Sequence, residues 1–155
     1  MVITESSVRA ALASVMDPEI PAISIVDLGI VERVAIAGES VEIDLLPTFS
    51  GCPALDAIKD DVERAARAAA PGTKVVVRFV LSPAWTTDRM TDQGRAALGS
   101  FGIAPPLLRV GRKPACPYCG STRTHEESAF GPTLCRTIRY CDECKNPFEG
   151  FKTKA

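Results

Sequence analysis

Histidine and aromatic residues are scarce in this sequence. Among its 155 residues there is a single histidine, His125, and aromatic side chains make up 6% of the chain. One histidine argues against a di-iron centre of the helix-bundle type and against histidine-based acid–base catalysis. The glycine-rich motifs of P-loop and dinucleotide-binding proteins are missing, as is the G-x-S-x-G motif of hydrolases. The sequence therefore argues against the enzyme classes that depend on these residues and motifs.

Long apolar runs and an excess of charge are also missing. No stretch is long enough to span a bilayer, and the chain does not open on a basic segment followed by an apolar run. The formal net charge is −1, and residues 116–155 contain six Lys or Arg against five Asp or Glu. Such a balance offers no basic face for nucleic acid or an anionic membrane. We expect a cytoplasmic protein without a signal peptide that binds neither.

Cysteine is what the C-terminal part has in quantity. Five of the six cysteines lie in the last 40 residues, and four of them form two C-x-x-C pairs separated by 21 residues: Cys116, Cys119, Cys141 and Cys144. Each pair can point two thiolates at one metal ion, and two such turns complete a tetrahedral site. So small a module cannot bury a sufficient core, and the metal should supply much of its folding free energy. The spacing predicts a zinc ribbon with one Zn²⁺; an iron–sulfur centre is the alternative, because four thiolates suit both.

The sequence does not assign a role to two residues near these pairs. Cys135 is more often a core residue in such a position, although a fifth, exchangeable ligand is the alternative. His125 lies in a predicted ribbon strand, and a site with four thiolates does not require it.

The first 100 residues have the patterns of an ordinary α/β (α+β) domain. Apolar residues recur at helical spacing over about 5–16, 53–70 and 88–98, and alternation or β-branched runs mark strands over 30–37, 40–46 and 74–81. The order α-β-β-α-β-α predicts a small two-layer sandwich with a mixed sheet. Its first two strands form a hairpin, and the third joins in parallel through a right-handed crossover. We expect this third strand to be central and covered on both faces.

Three regions follow from these patterns. We expect one domain over residues 1–100, a linker rich in glycine and proline over 101–115, and the ribbon over 116–155. Leu107–Val110 has the composition of a short strand within that linker.

The turn Pro47–Pro53 joins a predicted strand to a predicted helix and contains Cys52. A thiol at a helix N-terminus feels the positive end of the helix dipole, which favours the reactive thiolate, and Pro53 suits the first helical position. The alternative is a buried cysteine that acts as a small hydrophobic residue. Because loops at the carboxyl ends of parallel strands share an edge of the sheet, Thr48, Ser50 and Cys52 are predicted to share a rim with the Trp85–Thr87 segment.

A loop with three carboxylates, Asp17, Glu19 and Asp27, connects the first helix to the first strand. Two prolines stiffen it, and its composition favours a solvated connection.

These segments together resemble the small metal–sulfur cluster assembly domain family. The motifs that carry the resemblance are Asp17–Pro21, Ser24–Gly29, Pro47–Pro53 and Ser82–Asp88, with the ribbon segments Ser128–Thr133 and Pro147–Phe148. The ribbon narrows the resemblance to members that accompany the bacterial phenylacetyl-CoA epoxidase.

The resemblance implies a non-enzymatic factor that assembles or delivers iron–sulfur clusters. The family's reactive cysteine corresponds to Cys52 and its acidic motif to Asp17, Glu19 and Asp27, with Thr48 beside them. The implied client is the epoxidase reductase, which carries a ferredoxin-type [2Fe–2S] domain; other epoxidase subunits are further candidate partners. One thiolate cannot hold a cluster alone, so a homodimer, a client cysteine or small thiols must supply the other ligands. A structural or catalytic subunit of the oxygenase complex is the competing interpretation, and a nucleic-acid-binding ribbon protein is a third.

Overall fold

The computed structural model describes residues 2–107 and 112–153. It consists of two compact units, Met1–Trp85 and Thr86–Ala155. The helix predicted over 88–98 therefore groups with the C-terminal unit. Where independently folding domains begin and end, predicted as 1–100 and 116–155, stays a prediction.

The first unit contains two helices and a three-stranded sheet. In chain order they are α1 (Glu5–Leu12), β1 (Val31–Ala37), β2 (Ser40–Leu45), α2 (Leu55–Ala69) and β3 (Lys74–Phe79). The strands lie in the order β1-β2-β3, with β1 antiparallel and β3 parallel to β2. The predicted hairpin, helix and parallel strand are confirmed.

Apolar residues of α2 and of β2 make the core of this unit. Ile58, Val62 and Ala66 recur at helical spacing and are buried, as are Ile43 and Leu45 of the alternating strand β2. Thr4 caps the N-terminus of α1, because its side chain accepts a hydrogen bond from the backbone N–H of Ser7. Helix α1 contacts α2. The result is the predicted layer of helices on one face of a mixed sheet.

Strand β3 is an edge strand, and the prediction that it is central is wrong. It pairs with β2 alone, and Lys74 and Arg78 are exposed. The other face of the sheet carries an ion-pair network in which Asp44 accepts a hydrogen bond from Arg33 at 2.7 Å and forms an ion pair with Arg78 at 2.6 Å. An apolar sequence run alone does not show how many strands flank it, because that depends on distant parts of the chain.

The second unit contains a 3-10 turn, a helix and a four-stranded sheet. In chain order these are Thr87–Arg89, α3 (Asp92–Ser100), β4 (Ile103–Ala104), β5 (Thr124–Ser128), β6 (Arg136–Cys141) and β7 (Pro147–Phe151). The sheet order is β4-β7-β6-β5, and β4 pairs in parallel with β7 although it lies in the predicted linker. For the strand predicted at Leu107–Val110, all but its first residue lie outside the described residues.

The helices α1, α2 and α3 contain 8, 15 and 9 residues. Within residues 2–107 and 112–153, no helix has the length and apolar character needed to cross a membrane.

Candidate functional site

Cys52 lies in a tight turn between β2 and α2. Its backbone N–H donates to the carbonyl of Phe49 at 3.0 Å. Helix α2 begins at Leu55, so the prediction that Pro53 is the first helical residue is wrong. The thiol thus precedes the helix by most of a turn.

The Cys52 thiol faces a carboxylate. Its Sγ lies 3.8 Å from Oε2 of Glu19, a residue 33 positions earlier in the chain, and both side chains are partly buried. A thiolate and a carboxylate this close repel each other unless a proton or a cation lies between them. One soft and one hard anionic ligand this close together is an arrangement suited to a metal cation.

The acidic loop holds Glu19 in place through Asp17. Oδ1 of Asp17 accepts the backbone N–H groups of Glu19 and Ile20 at 2.8 and 2.9 Å. Asp17 therefore positions the backbone beneath Glu19, and those two bonds occupy one of its carboxylate oxygens.

Hydrophobic packing anchors the same loop, and the prediction of a solvated connection is wrong. Ile20, Ile23, Ile25 and Leu28 are at most 2% exposed. A β-bridge between Met16 and Ser24 closes the loop at its base. The apolar residues between the carboxylates fix the loop against the core, so the carboxylates project from a rigid support.

Asp27 and Thr48 complete the predicted set of site residues. Oδ2 of Asp27 accepts the hydroxyl of Ser24 at 2.8 Å, and its backbone N–H donates to the same hydroxyl at 3.0 Å. Thr48 is partly buried and follows the buried Pro47. The functional roles of both residues stay predictions.

Trp85 is buried against the acidic loop and does not belong to the predicted rim. Its side chain is 1% exposed, and its indole N–H donates to the carbonyl of Leu28 at 3.0 Å. Thr86 and Thr87 belong to the second unit, so the residues of the predicted rim do not all lie in the first unit. The sequence offered one signal for the role of Trp85, namely that a buried indole N–H requires an acceptor.

The two C-x-x-C pairs come together in the second unit. The four Sγ atoms of Cys116, Cys119, Cys141 and Cys144 all lie within 4.8 Å of one another. Two of the cross-pair distances are 3.7 Å, from Cys116 to Cys144, and 3.6 Å, from Cys119 to Cys141. Tetrahedral Zn–S bonds of about 2.3 Å place sulfur atoms about 3.8 Å apart. The residues present therefore fit a four-coordinate metal ion.

Each cysteine pair is followed by a residue of left-handed backbone conformation. Gly120 has φ 74° and Lys145 has φ 62°, and each directly follows the second cysteine of its pair. The backbone N–H of Gly120 donates to the carbonyl of Cys116, and that of Lys145 donates to the carbonyl of Cys141. The two turns thus have matching geometry, although only the first has the glycine that this geometry favours.

Nearby N–H groups donate to two of the four sulfur atoms. The backbone N–H of Tyr118 donates to Sγ of Cys116 at 3.4 Å, and the side-chain amide of Asn146 donates to Sγ of Cys144 at 3.5 Å. The amide of Asn146 is the main cause that lowers the pKa of Cys144 to about 6. A metal ligand must be deprotonated, and the amide of Asn146 favours that form of Cys144.

Cys135 and His125 lie outside the four-cysteine group. Sγ of Cys135 lies 3.1 Å from the hydroxyl of Thr133. The imidazole of His125 lies between Glu127, 2.6 Å from Nε2, and Asp142, 3.2 Å from Nδ1. These carboxylates, Glu127 most strongly, raise the pKa of His125.

Known families match both parts of the chain. Residues 5–78 match the family model described as an iron–sulfur cluster assembly protein, and residues 106–152 match the PaaD zinc β-ribbon domain. A crystal structure of a domain of unknown function from Bacillus anthracis superimposes with a TM-score of 0.57 at 32% identity, covering 61% of this chain and 91% of that one.

Two relatives extend the comparison. An Fe–S protein maturation auxiliary factor of Porphyromonas gingivalis is 30% identical over 62% of this chain and 91% of its own. An Escherichia coli (strain K12) protein, provisionally named as a subunit of 1,2-phenylacetyl-CoA epoxidase, is 40% identical over 92% of this chain and 89% of its own. Since this last similarity runs through both units, the chain belongs to the PaaD family of iron–sulfur cluster assembly proteins.

Proposed function

We propose that this chain is a non-enzymatic factor that assembles or delivers iron–sulfur clusters for a cytoplasmic phenylacetyl-CoA epoxidase system. The observation that carries the proposal is the pairing of Cys52 with Glu19 on a rigid loop. Iron or a cluster is then a cargo, bound by the thiolate and passed on.

A single thiolate suits transfer better than storage. A cluster takes about four protein ligands, so Cys52 needs ligands from a second copy of the chain, a client or small thiols. The cargo leaves when client thiolates replace Cys52. Asp17 and Asp27 hold the acidic loop in shape during this exchange, and Thr48 lies beside the thiol-bearing turn.

The C-terminal ribbon has a different task in this proposal. Its four cysteines hold Zn²⁺, and a site with four protein ligands leaves no open position for chemistry. The ribbon therefore presents a surface to the client. The name of the Escherichia coli relative supports an epoxidase component, and we propose the [2Fe–2S] reductase.

The reductase itself supplies the test. In a bacterium lacking this protein, the reductase should be purified without oxygen and its iron, acid-labile sulfide and visible absorbance measured. We expect a reductase deficient in cluster, restored by the wild-type protein and not by Cys52→Ala. The matched control is Cys135→Ala, which removes another partly buried thiol and should restore the cluster. A reductase with a full cluster in the deletion strain would refute the proposed client.

A structural subunit of the oxygenase complex is the second candidate, favoured by the word subunit in the name of the relative. Co-purification separates the two functions. A subunit remains in fixed stoichiometry with the complex, whereas a maturation factor does not.

A further inference from the structure

The second unit contains a cavity that the cysteine site does not use. Its volume is about 470 Å³, and its lining includes Arg112, Lys113, Arg139, Lys152 and Glu126. The cavity is large enough for a small organic ligand. None of the four metal-binding cysteines lines it.

The charge of this cavity is strongly one-sided. Of the residues that the structure describes, four cations and one carboxylate line it, which leaves three positive charges in excess. The ribbon sequence 116–155 as a whole has an excess of only one. The cavity gains its charge because Arg112 and Lys113, which precede the ribbon, join two ribbon cations. A ligand that balances this excess carries two or more negative charges.

Arg139 lies in the cavity wall, and among the described residues its ion pair with an anionic side chain is long. Its side chain is 14% exposed, and its ion pair with Glu126 spans 3.5 Å. By contrast, the similarly buried Arg136 lies 2.8 Å from Glu149. A mostly buried guanidinium whose ion pair is long has a weakly balanced charge, and an anion in the cavity would balance it.

The Arg139 side chain is also fixed in place. A Cβ on Gly150 would lie 2.8 Å from its Cδ, so the absence of a side chain at Gly150 makes room for the stem. The guanidinium is therefore positioned before a ligand arrives, which reduces the entropy lost on binding.

An aromatic ring lies beside the same cavity. Phe130 is 84% exposed, and Nζ of Lys152, a lining residue, lies 5.7 Å from the centre of its ring. An exposed ring next to a cationic cavity offers a stacking surface for a planar heterocycle.

We propose that this cavity binds a nucleotide diphosphate group. The phosphates lie against Arg139 and Lys152, and the base stacks on Phe130. Guanidinium and ammonium groups are the side chains that bind phosphate best, and the excess of three charges exceeds what one carboxylate would balance. The same chemistry occurs in a free nucleotide such as ADP and in the adenosine diphosphate portion of coenzyme A.

Calorimetric titration of the full-length, metal-loaded protein at constant ionic strength tests this proposal. The probes are ADP, coenzyme A, inorganic pyrophosphate and a tetraglutamate peptide. We expect ADP or coenzyme A to bind more tightly than pyrophosphate, and the tighter of the two identifies the source of the nucleotide. Failure of both to bind, equal binding of pyrophosphate, or preferred binding of the peptide would overturn the proposal.

Variants locate the binding. Arg139→Gln should weaken ADP binding about tenfold, the cost of one charge-assisted hydrogen-bond pair. Glu126→Gln should strengthen binding, and Phe130→Ala should weaken ADP binding without changing pyrophosphate binding. Arg123→Gln is the matched control, because it removes a ribbon cation that is paired with Glu143 and does not line the cavity. If Arg139→Gln fails to retain metal, Lys152→Gln replaces it. Unchanged affinity in a metal-retaining variant would refute the site.

Discussion

The two units hold their thiols in opposite ways. In the first, Cys52 is alone on a turn and faces the carboxylate of Glu19. In the second, four thiols face one another at distances that fit a tetrahedral metal. A lone thiol leaves most of the coordination shell of a metal to other molecules, whereas four thiols fill it. One chain thus combines a site suited to exchange with a site suited to permanent binding.

The units also differ in what stabilises them. The first buries the apolar side chains of two helices, a sheet and the acidic loop. In the second, a buried cluster consists of Ala104, Cys116, Cys141 and Phe148, so two of its four members belong to the four-cysteine group. Removing the metal should therefore unfold the ribbon and leave the first unit folded.

The substitution Cys119→Ser tests that contrast with the largest expected effect. Cys119 is the exposed member of the four, so the change removes a ligand with little loss of packing. We expect loss of one bound metal per chain and of most of its binding free energy, about 10 kcal/mol or more. Metal analysis measures the loss of bound metal. Hydrogen exchange resolved by segment should show β5–β7 unprotected while β1–β3 stay protected.

Cys135→Ser is the control for this experiment, since it removes a thiol outside the four-cysteine group and should retain the metal. A ribbon that stays protected in Cys119→Ser without metal would contradict the proposed source of its stability.

The substitution Ile23→Ala tests the other half of the contrast. Ile23 is 1% exposed and anchors the acidic loop, so its truncation should cost about 3 kcal/mol. Urea unfolding of the metal-loaded protein measures this loss, and metal content should not change. Ile36→Ala is the matched control, because Ile36 is 40% exposed and should cost less than about 1 kcal/mol. Equal costs at both positions would mean that the acidic loop is not part of the core.

Much of this contrast could be predicted from the sequence. The period-2 pattern of Val41, Ile43 and Leu45 predicted β2, and the stripe through Ile58 and Val62 predicted α2. Such local patterns report which side of an element faces apolar surroundings. The spacing of the cysteines predicted the closed site, because C-x-x-C geometry is local to each turn.

The parts that could not be predicted depend on distant contacts. The composition of the acidic loop suggested solvent, but Ile20 and Ile23 pack into a core formed by later segments. Strand β4 has two residues, and its pairing with β7 bridges more than 40 positions, so no local pattern marks it. The approach of Glu19 to Cys52 is of the same kind, since only the folded chain brings a helix-following loop to the turn before α2.

The charged face of the first unit should make a smaller, pH-dependent contribution. Burial alone would raise the pKa of Asp44, but hydrogen bonds from Arg33 and Arg78 outweigh it and lower the pKa below the ordinary 3.8. The folded state therefore binds fewer protons than the unfolded state near that pH. The stabilisation is present above pH 3.8 and is lost as the pH falls through the folded-state pKa.

Asp44→Asn measures this contribution. It should lower the free energy of unfolding by about 1 kcal/mol at pH 7, with a difference from wild type that shrinks as the pH falls below 4. Urea unfolding at pH 7, 4 and 3 provides the comparison. Asp61→Asn is the control, because its partner Arg64 is 75% exposed and the pair should contribute less. A difference that is the same at every pH would show that the carboxylate charge is not the cause.

The smallest expected effect concerns the two cysteine turns of the ribbon. Lys145 adopts φ 62°, where glycine has no steric penalty, and the matching position of the other turn is Gly120. Lys145→Gly should relieve that strain and strengthen the ribbon by about 0.5 kcal/mol, after the entropy that glycine adds to the unfolded chain. Gly120→Ala should weaken it by about 1 kcal/mol through backbone conformation alone, because a Cβ there would meet nothing within 4 Å. Competition with a chromophoric chelator should show metal affinity about twofold higher for Lys145→Gly and about fivefold lower for Gly120→Ala.

Glu143→Gly, a change in the same turn at a residue without positive φ, should lower the affinity, since it adds chain entropy and relieves no strain. If Lys145→Gly and Glu143→Gly shift the affinity equally, the left-handed conformation of Lys145 does not limit the stability of this turn.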